Sequence, residues 1–173
     1  GDAWDIILAL AKGIGSTKAA AMHVTFKEET EIDLFIEQFF LPLIIQGIRL
    51  SFDYLVENNF TPEAVLSELY ASGEIGELLM MATKGGIYDV WKKNASPTCQ
   101  FGIFRNLNKV LPEKKGKELI NNVLSGLRDG TFVNALSKEA NEGYKNLYRY
   151  NDQNAESQIV KTQKILDAII KYK

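Results

Sequence analysis

The chain has 173 residues, 46% of them hydrophobic and 24% charged, with a formal net charge of −2. That is one globular domain's length with enough apolar content for a core, and too little positive charge for a binder of nucleic acid or anionic membrane. One cysteine, Cys99, excludes an intrachain disulfide and a thiolate metal site, and fits a cytoplasmic setting.

The opening Gly1–Leu10 has acids ahead of its apolar residues and no basic stretch, so it is not expected to be a signal peptide. It reads as though begun in mid-pattern. Ala3 to Ala11 has helical spacing, stopped by Gly13 and Gly15, and Ser16 offers an N-cap for a helix over Thr17 to Met22. From about Glu31 to Asn58 runs a long apolar helical pattern, with Pro42 predicting a kink. Glu37 interrupts that run before any apolar stretch reaches about 18 residues, so no membrane span is expected.

Thr61-Pro62-Glu63 is a helix start, with Thr61 at the cap and Pro62 at the first helical position. The helix it opens should reach about Thr83, weakened near Ser72-Gly73 and ended by Gly85-Gly86. Shorter helices are predicted at about 86–94 and 98–109. Another opens at Pro112-Glu113 and stops before Asp129-Gly130, and two amphipathic helices fill the last 40 residues. No strand-like alternation, internal repeat or low-complexity linker interrupts this pattern. The class is all-α, read as a single domain over 1–173.

The chemistry concentrates in EETEIDLFIEQ, residues 28–38. Glu29, Asp33 and Glu37 recur every four residues, so a helix stands three carboxylates on one face, where they repel by a few tenths of a kcal/mol per pair. Two carboxylates one turn apart on a mostly buried helix can grip a hard divalent cation such as Mg²⁺, which prefers oxygen ligands. Glu68, Glu74 and Glu77 on a following helix could complete such a set, as in carboxylate sites of helical bundles. The plainer reading makes all of them solvated faces. His23 lacks a zinc partner and reads as a surface or packing residue; Cys99 lacks a base and reads as a small buried hydrophobe. Gly13-Ile14-Gly15 and Gly85-Gly86 follow no strand and are helix stops rather than phosphate loops. Lys114, Lys115 and Lys117 form a short solvated basic cluster. A di-iron bundle would need Glu-x-x-His pairs, and none occurs.

These stretches together resemble the C-terminal, helical and knotted domain of ketol-acid reductoisomerase. Ala11-Lys12-Gly13-Ile14-Gly15 matches the family's AKGIG. Thr25 to Glu31, Asp33-Leu34-Phe35 and Glu37-Gln38 match its TFKEETETDLFGEQ. Weaker matches follow in order at Thr61-Pro62-Glu63, Gly85-Gly86-Ile87, Ser96 and Thr98, Asp129 to Phe132, and from Asn141-Glu142-Gly143 to the end. The resemblance covers essentially the whole chain.

It implies an Mg²⁺-assisted alkyl shift in 2-acetolactate or its ethyl homologue, then reduction by NADPH, a step of branched-chain amino-acid synthesis. Asp33 matches the carboxylate bridging two Mg²⁺ ions, Glu37 a ligand of one of them, and Ser96 a serine that hydrogen-bonds substrate. Glu68 matches the next acidic ligand when counted from Pro62, and Glu74 the second when counted back from Gly85-Gly86. A pair six apart on a regular helix diverges by about 120°, so a bulge near Ser72-Gly73 is needed for both to serve. Gln100 stands where the family has an acid, and bulky Phe39, Phe40 and Pro42 replace small residues. No G-x-G-x-x-G follows a strand, so NADPH has no site here and belongs to a nucleotide-binding domain absent from these residues. The resemblance further implies an intertwined homodimer whose sites take acids from both chains, inactive without the nucleotide-binding half. The alternative is a degenerate paralogue that serves only as a structural, dimerising module.

Overall fold

The computed structural model describes residues 2–18 and 20–169, and they are all-α, with no strand among them. Two compact units divide the chain, Gly1–Leu34 and Phe35–Lys173. In the first, α1 (Ala3–Gly13) is followed by a 3-10 turn at Ser16–Lys18, and Gly15 takes the positive φ of 82° that ends the helical path. Residues 20–25 have no regular structure, so the helix expected over Thr17 to Met22 does not form. Six residues are too few to offset the cost of nucleating a helix without an apolar face to pack. Its last element, α2 (Phe26–Phe35), begins with the Thr25 hydroxyl accepting the Glu28 N–H at 3.1 Å.

The helical path from Phe26 to Glu57 is unbroken over 32 residues, but it is not regular. A π turn, Ile36–Phe40, separates α2 from α3 (Leu41–Glu57), closed by the Leu41 N–H bonding the Ile36 carbonyl. The reason lies two residues on. Pro42 has no N–H for the Gln38 carbonyl and its ring crowds that oxygen, so the widened turn appears where a kink was predicted. By length and composition this helix could cross a membrane, with a mean hydropathy of 1.4 over eighteen residues. The helix is not the mostly buried one that the sequence suggested: only 6% of that window is covered.

After α3, Asn58 and the left-handed Asn59 (φ 68°) turn the chain into α4 (Pro62–Leu66). A second π turn, Ser67–Ala71, follows, and Gly73 at φ 85° breaks the helix before α5 (Glu74–Gly85). The irregularity required near Ser72-Gly73 is present. Then come α6 (Ile87–Asn94), α7 (Pro97–Val110), α8 (Glu113–Arg128), α9 (Thr131–Asn141), α10 (Lys145–Ala155) and α11 (Gln158–Ile169). The tail thus holds three helices where two were expected. Gly143 and Tyr144 both take positive φ, and the Tyr144 N–H reaches the Glu139 carbonyl at 2.8 Å, a Schellman-type stop. Glu139 then reaches over the break. Its carboxylate accepts the N–H groups of Asn146 and Leu147 at 2.7 and 3.0 Å and caps α10.

The core of the second unit is small. Phe52 of α3, Val65 and Leu66 of α4 and Leu166 of α11 are buried together, with Leu55, Leu69 and Ile159 packed around them. The apolar content promised more than this. Large apolar side chains stand exposed along α3 (Leu43, Leu50, Tyr54), α5 (Leu79, Met80) and α7 (Phe101, Phe104). Cys99 is exposed too, not the buried hydrophobe expected, because it sits on the first turn of α7 with nothing packed over it.

Candidate metal centre

Four carboxylates were expected to hold metal, and all four are exposed: Asp33, Glu37, Glu68 and Glu74. Asp33 lies on α2 in the first unit. Glu37 lies four residues on, in the first π turn of the second unit. Glu68 occupies the equivalent second position of the other π turn, and Glu74 is the first residue of α5. The two π turns of the described residues each carry one of the expected ligands. Inserting one residue into a helical turn re-aims every side chain in it, and such bulges recur at functional sites. Glu74 gains from its place differently: the free N–H groups of a helix start favour negative charge there.

None of these four carboxylates has an ion pair or hydrogen bond with a described residue. Nearby bases are spent elsewhere, Lys27 on Glu31 at 3.8 Å and Arg49 on Asp53 at 3.6 Å. Exposed, uncompensated oxygen donors fit the chemistry of Mg²⁺. Within one copy, though, no three Asp, Glu, His or Cys side chains of the described residues converge on a common point.

Glu68 and the apolar side chains of Leu55, Phe60, Ala64, Val65 and Leu69 line an open groove of about 430 Å³. Apolar walls with one carboxylate among them can take a short alkyl group beside a charged one. The turn that holds Glu68 is tied down from the far end of the chain. The Tyr70 hydroxyl donates to Gln163 Oε1 at 2.8 Å, and Gln163 Nε2 donates to Asp167 at 2.6 Å. The first π turn packs against α8 and stacks Phe35 on Phe39 at 5.5 Å. It also buries the Gln38 side-chain nitrogen without a partner among the described residues. Sequence reading named Gln38 only as part of the resemblance and passed over Tyr70 and Gln163; only Pro42 hinted at the first turn, and nothing marked Tyr70.

Ser96 is the N-cap of α7, where its hydroxyl oxygen accepts the Cys99 N–H at 3.2 Å; the hydroxyl proton stays free to donate to a ligand. Gln100 donates from Nε2 to the carbonyls of Ala95 and Lys92 at 2.8 and 3.3 Å, closing the α6–α7 corner. A carboxylate could make neither bond. Elsewhere, His23 meets Trp4 edge to face at 5.2 Å, a packing contact. Lys115 and Lys117 are exposed and paired with Glu118 and Glu113.

A helical domain, without a strand among the described residues and with exposed carboxylates on two π turns, is what this geometry defines. The family model for "Ketol-acid reductoisomerase, C-terminal domain" matches residues 26–172, and the chain belongs to that family. It is 33% identical over 167 residues to a ketol-acid reductoisomerase (NADP(+)) of Methanosphaera stadtmanae, covering 96% of this chain and 49% of that protein. With the one from Methanocaldococcus jannaschii it shares 34% over 148 residues, covering 85% and 44%. The fold matches a solved NADH-preferring ketol-acid reductoisomerase from an uncultured archean at a TM-score of 0.87, with 24% identity, over 97% of this chain and 50% of that one. The chain spans about half the length of the curated relatives it matches.

Proposed function

We propose that this chain is the metal-binding and dimerising part of a cytoplasmic, NADP-dependent ketol-acid reductoisomerase. As such it is one domain over 1–173, working on 2-aceto-2-hydroxy acids in branched-chain amino-acid synthesis. Asp33 and Glu37 of one copy and Glu68, with Glu74, of a second hold Mg²⁺. The ions supply Lewis acidity, polarising the substrate carbonyl and acidifying its hydroxyl. Ser96 donates a hydrogen bond to substrate from the hydroxyl proton that its capping role leaves free. NADPH binds a nucleotide-binding domain outside these residues, and without that domain the chain is inactive.

The observation that carries this reading is the set of four exposed carboxylates with no cation of their own, two of them presented on π turns. Like charges kept in a row without local compensation favour an external cation.

The second copy is supported by exposed apolar side chains: Leu43, Leu50 and Tyr54 of α3, Leu79 and Met80 of α5, and Phe101 and Phe104 of α7 lie open in the single chain.

Isothermal titration with Mg²⁺ tests the ligand set. Asp33→Asn should weaken binding at least tenfold; curves identical to wild type would refute the assignment. A non-catalytic dimerising paralogue is favoured by one observation, the replacement of the family's acid by Gln100 as a corner tie. It predicts that the chain, joined to a nucleotide-binding domain, dimerises without turning over substrate.

A further inference from the structure

The π turn Ser67–Ala71 is held from both sides unequally. On its N-terminal side α4 anchors it through Val65 and Leu66, buried against Phe52 and Leu166. On its C-terminal side the helix does not continue. The Ser72 N–H closes the wide turn on the Ser67 carbonyl at 3.0 Å, the Gly73 N–H reaches the Tyr70 carbonyl at 3.0 Å, and Gly73 then leaves helical space at φ 85°. A wide turn with a free end has little of its own to fix its register, since the neighbouring turn that would brace it is missing. What braces it is α11. The Tyr70 hydroxyl crosses 93 positions of sequence to Gln163, and Gln163 is itself oriented by Asp167 one turn on.

We infer that Tyr70, through Gln163 and Asp167, is a positioning residue that holds the π turn, and with it the exposed Glu68 lining the groove, in place for the cation. The inference rests on the metal reading of Glu68 above. Tyr70 is not itself a metal ligand. It fixes the backbone two residues from the carboxylate, and Leu69 and Ala71 on either side pack against the core cluster, so a shift of the ring shifts the whole turn. Orientation of a ligand by groups behind it commonly governs metal affinity by ten- to a hundredfold.

The test is Mg²⁺ titration of the full chain, with thermal melting in parallel. Tyr70→Phe keeps the ring and removes only the donor; Gln163→Leu removes the acceptor. Each should raise the Mg²⁺ dissociation constant at least fivefold. Gln163→Glu combined with Asp167→Asn keeps an acceptor for the Tyr70 hydroxyl and reverses donor and acceptor in the second bond, so it should restore wild-type affinity. A purely structural bond would instead lower the melting temperature and leave the Mg²⁺ isotherm unmoved, which overturns the inference. If Tyr70→Phe does not fold, the Gln163 pair decides: equal affinities for Gln163→Leu and the reversed pair also overturn it. Asp33→Asn separates the two levels. If it leaves Mg²⁺ binding unchanged, the metal reading itself fails; if it weakens binding while the Tyr70 and Gln163 variants do not, only the positioning role fails.

Discussion

Leu50→Ser tests whether a second copy covers the open face of α3. Leu43, Gly47, Leu50 and Tyr54 fall on one stripe of that helix, and Leu43, Leu50 and Tyr54 are exposed. Gly47 sits mid-stripe with no atom near the place of its missing side chain, so another helix can approach closely there. Leu50 is 53% exposed in the single chain. Burying a whole leucine contributes about 1.5–3 kcal/mol, so covering the exposed part contributes about 0.8–1.6 kcal/mol per copy. A symmetric dimer loses it twice, about 1.6–3.2 kcal/mol, or a dissociation constant raised about 15- to 200-fold. Sedimentation equilibrium over a wide concentration range reads this directly, and wild type should show a melting temperature that rises with concentration. A wild-type monomer at all concentrations would refute the dimer. Binding of wild-type chain to neutral lipid vesicles, lost in Leu50→Ser, would give the face to a bilayer instead.

The remaining expectations are local. Hydrogen bonds from the Asn146 side chain, foremost, and from the Leu147 and Asn146 backbone hold the Glu139 carboxyl below its ordinary 4.5. A carboxyl depressed in the folded state contributes stability that is complete above pH 4.5 and lost as pH falls through the folded value. Melting temperature against pH should therefore drop on that acid limb in wild type and drop less in Glu139→Gln; parallel curves would refute the cap. Gly73→Ala forces a side chain into left-handed backbone and should cost about 1–2 kcal/mol in urea denaturation. Gly73→Asn should cost less, because asparagine tolerates that region; with no atom near the added Cβ, a larger loss from asparagine would contradict a purely backbone origin.

Periodicity and punctuation settled most helices before any coordinates. Pro62, Gly85-Gly86, Pro112 and Asp129-Gly130 act through the chain's own φ and its missing or freed N–H groups, so their effect is local and readable. The acids of residues 28–37 were readable as a matter of spacing, whereas the π turn that separates Asp33 on α2 from Glu37 was not. Tertiary structure alone decided what spacing cannot carry. The Pro42 kink and the weakness near Ser72-Gly73 were readable, but that π turns form under Glu37 and Glu68, and that Tyr70 ties the second of them to Gln163, depends on groups distant in sequence or on how a turn relaxes under packing. The exposure of the long helix belongs there too: its apolar pattern is the same whether a core, a bilayer or a second copy covers it, because hydrophobicity has no direction and names no partner.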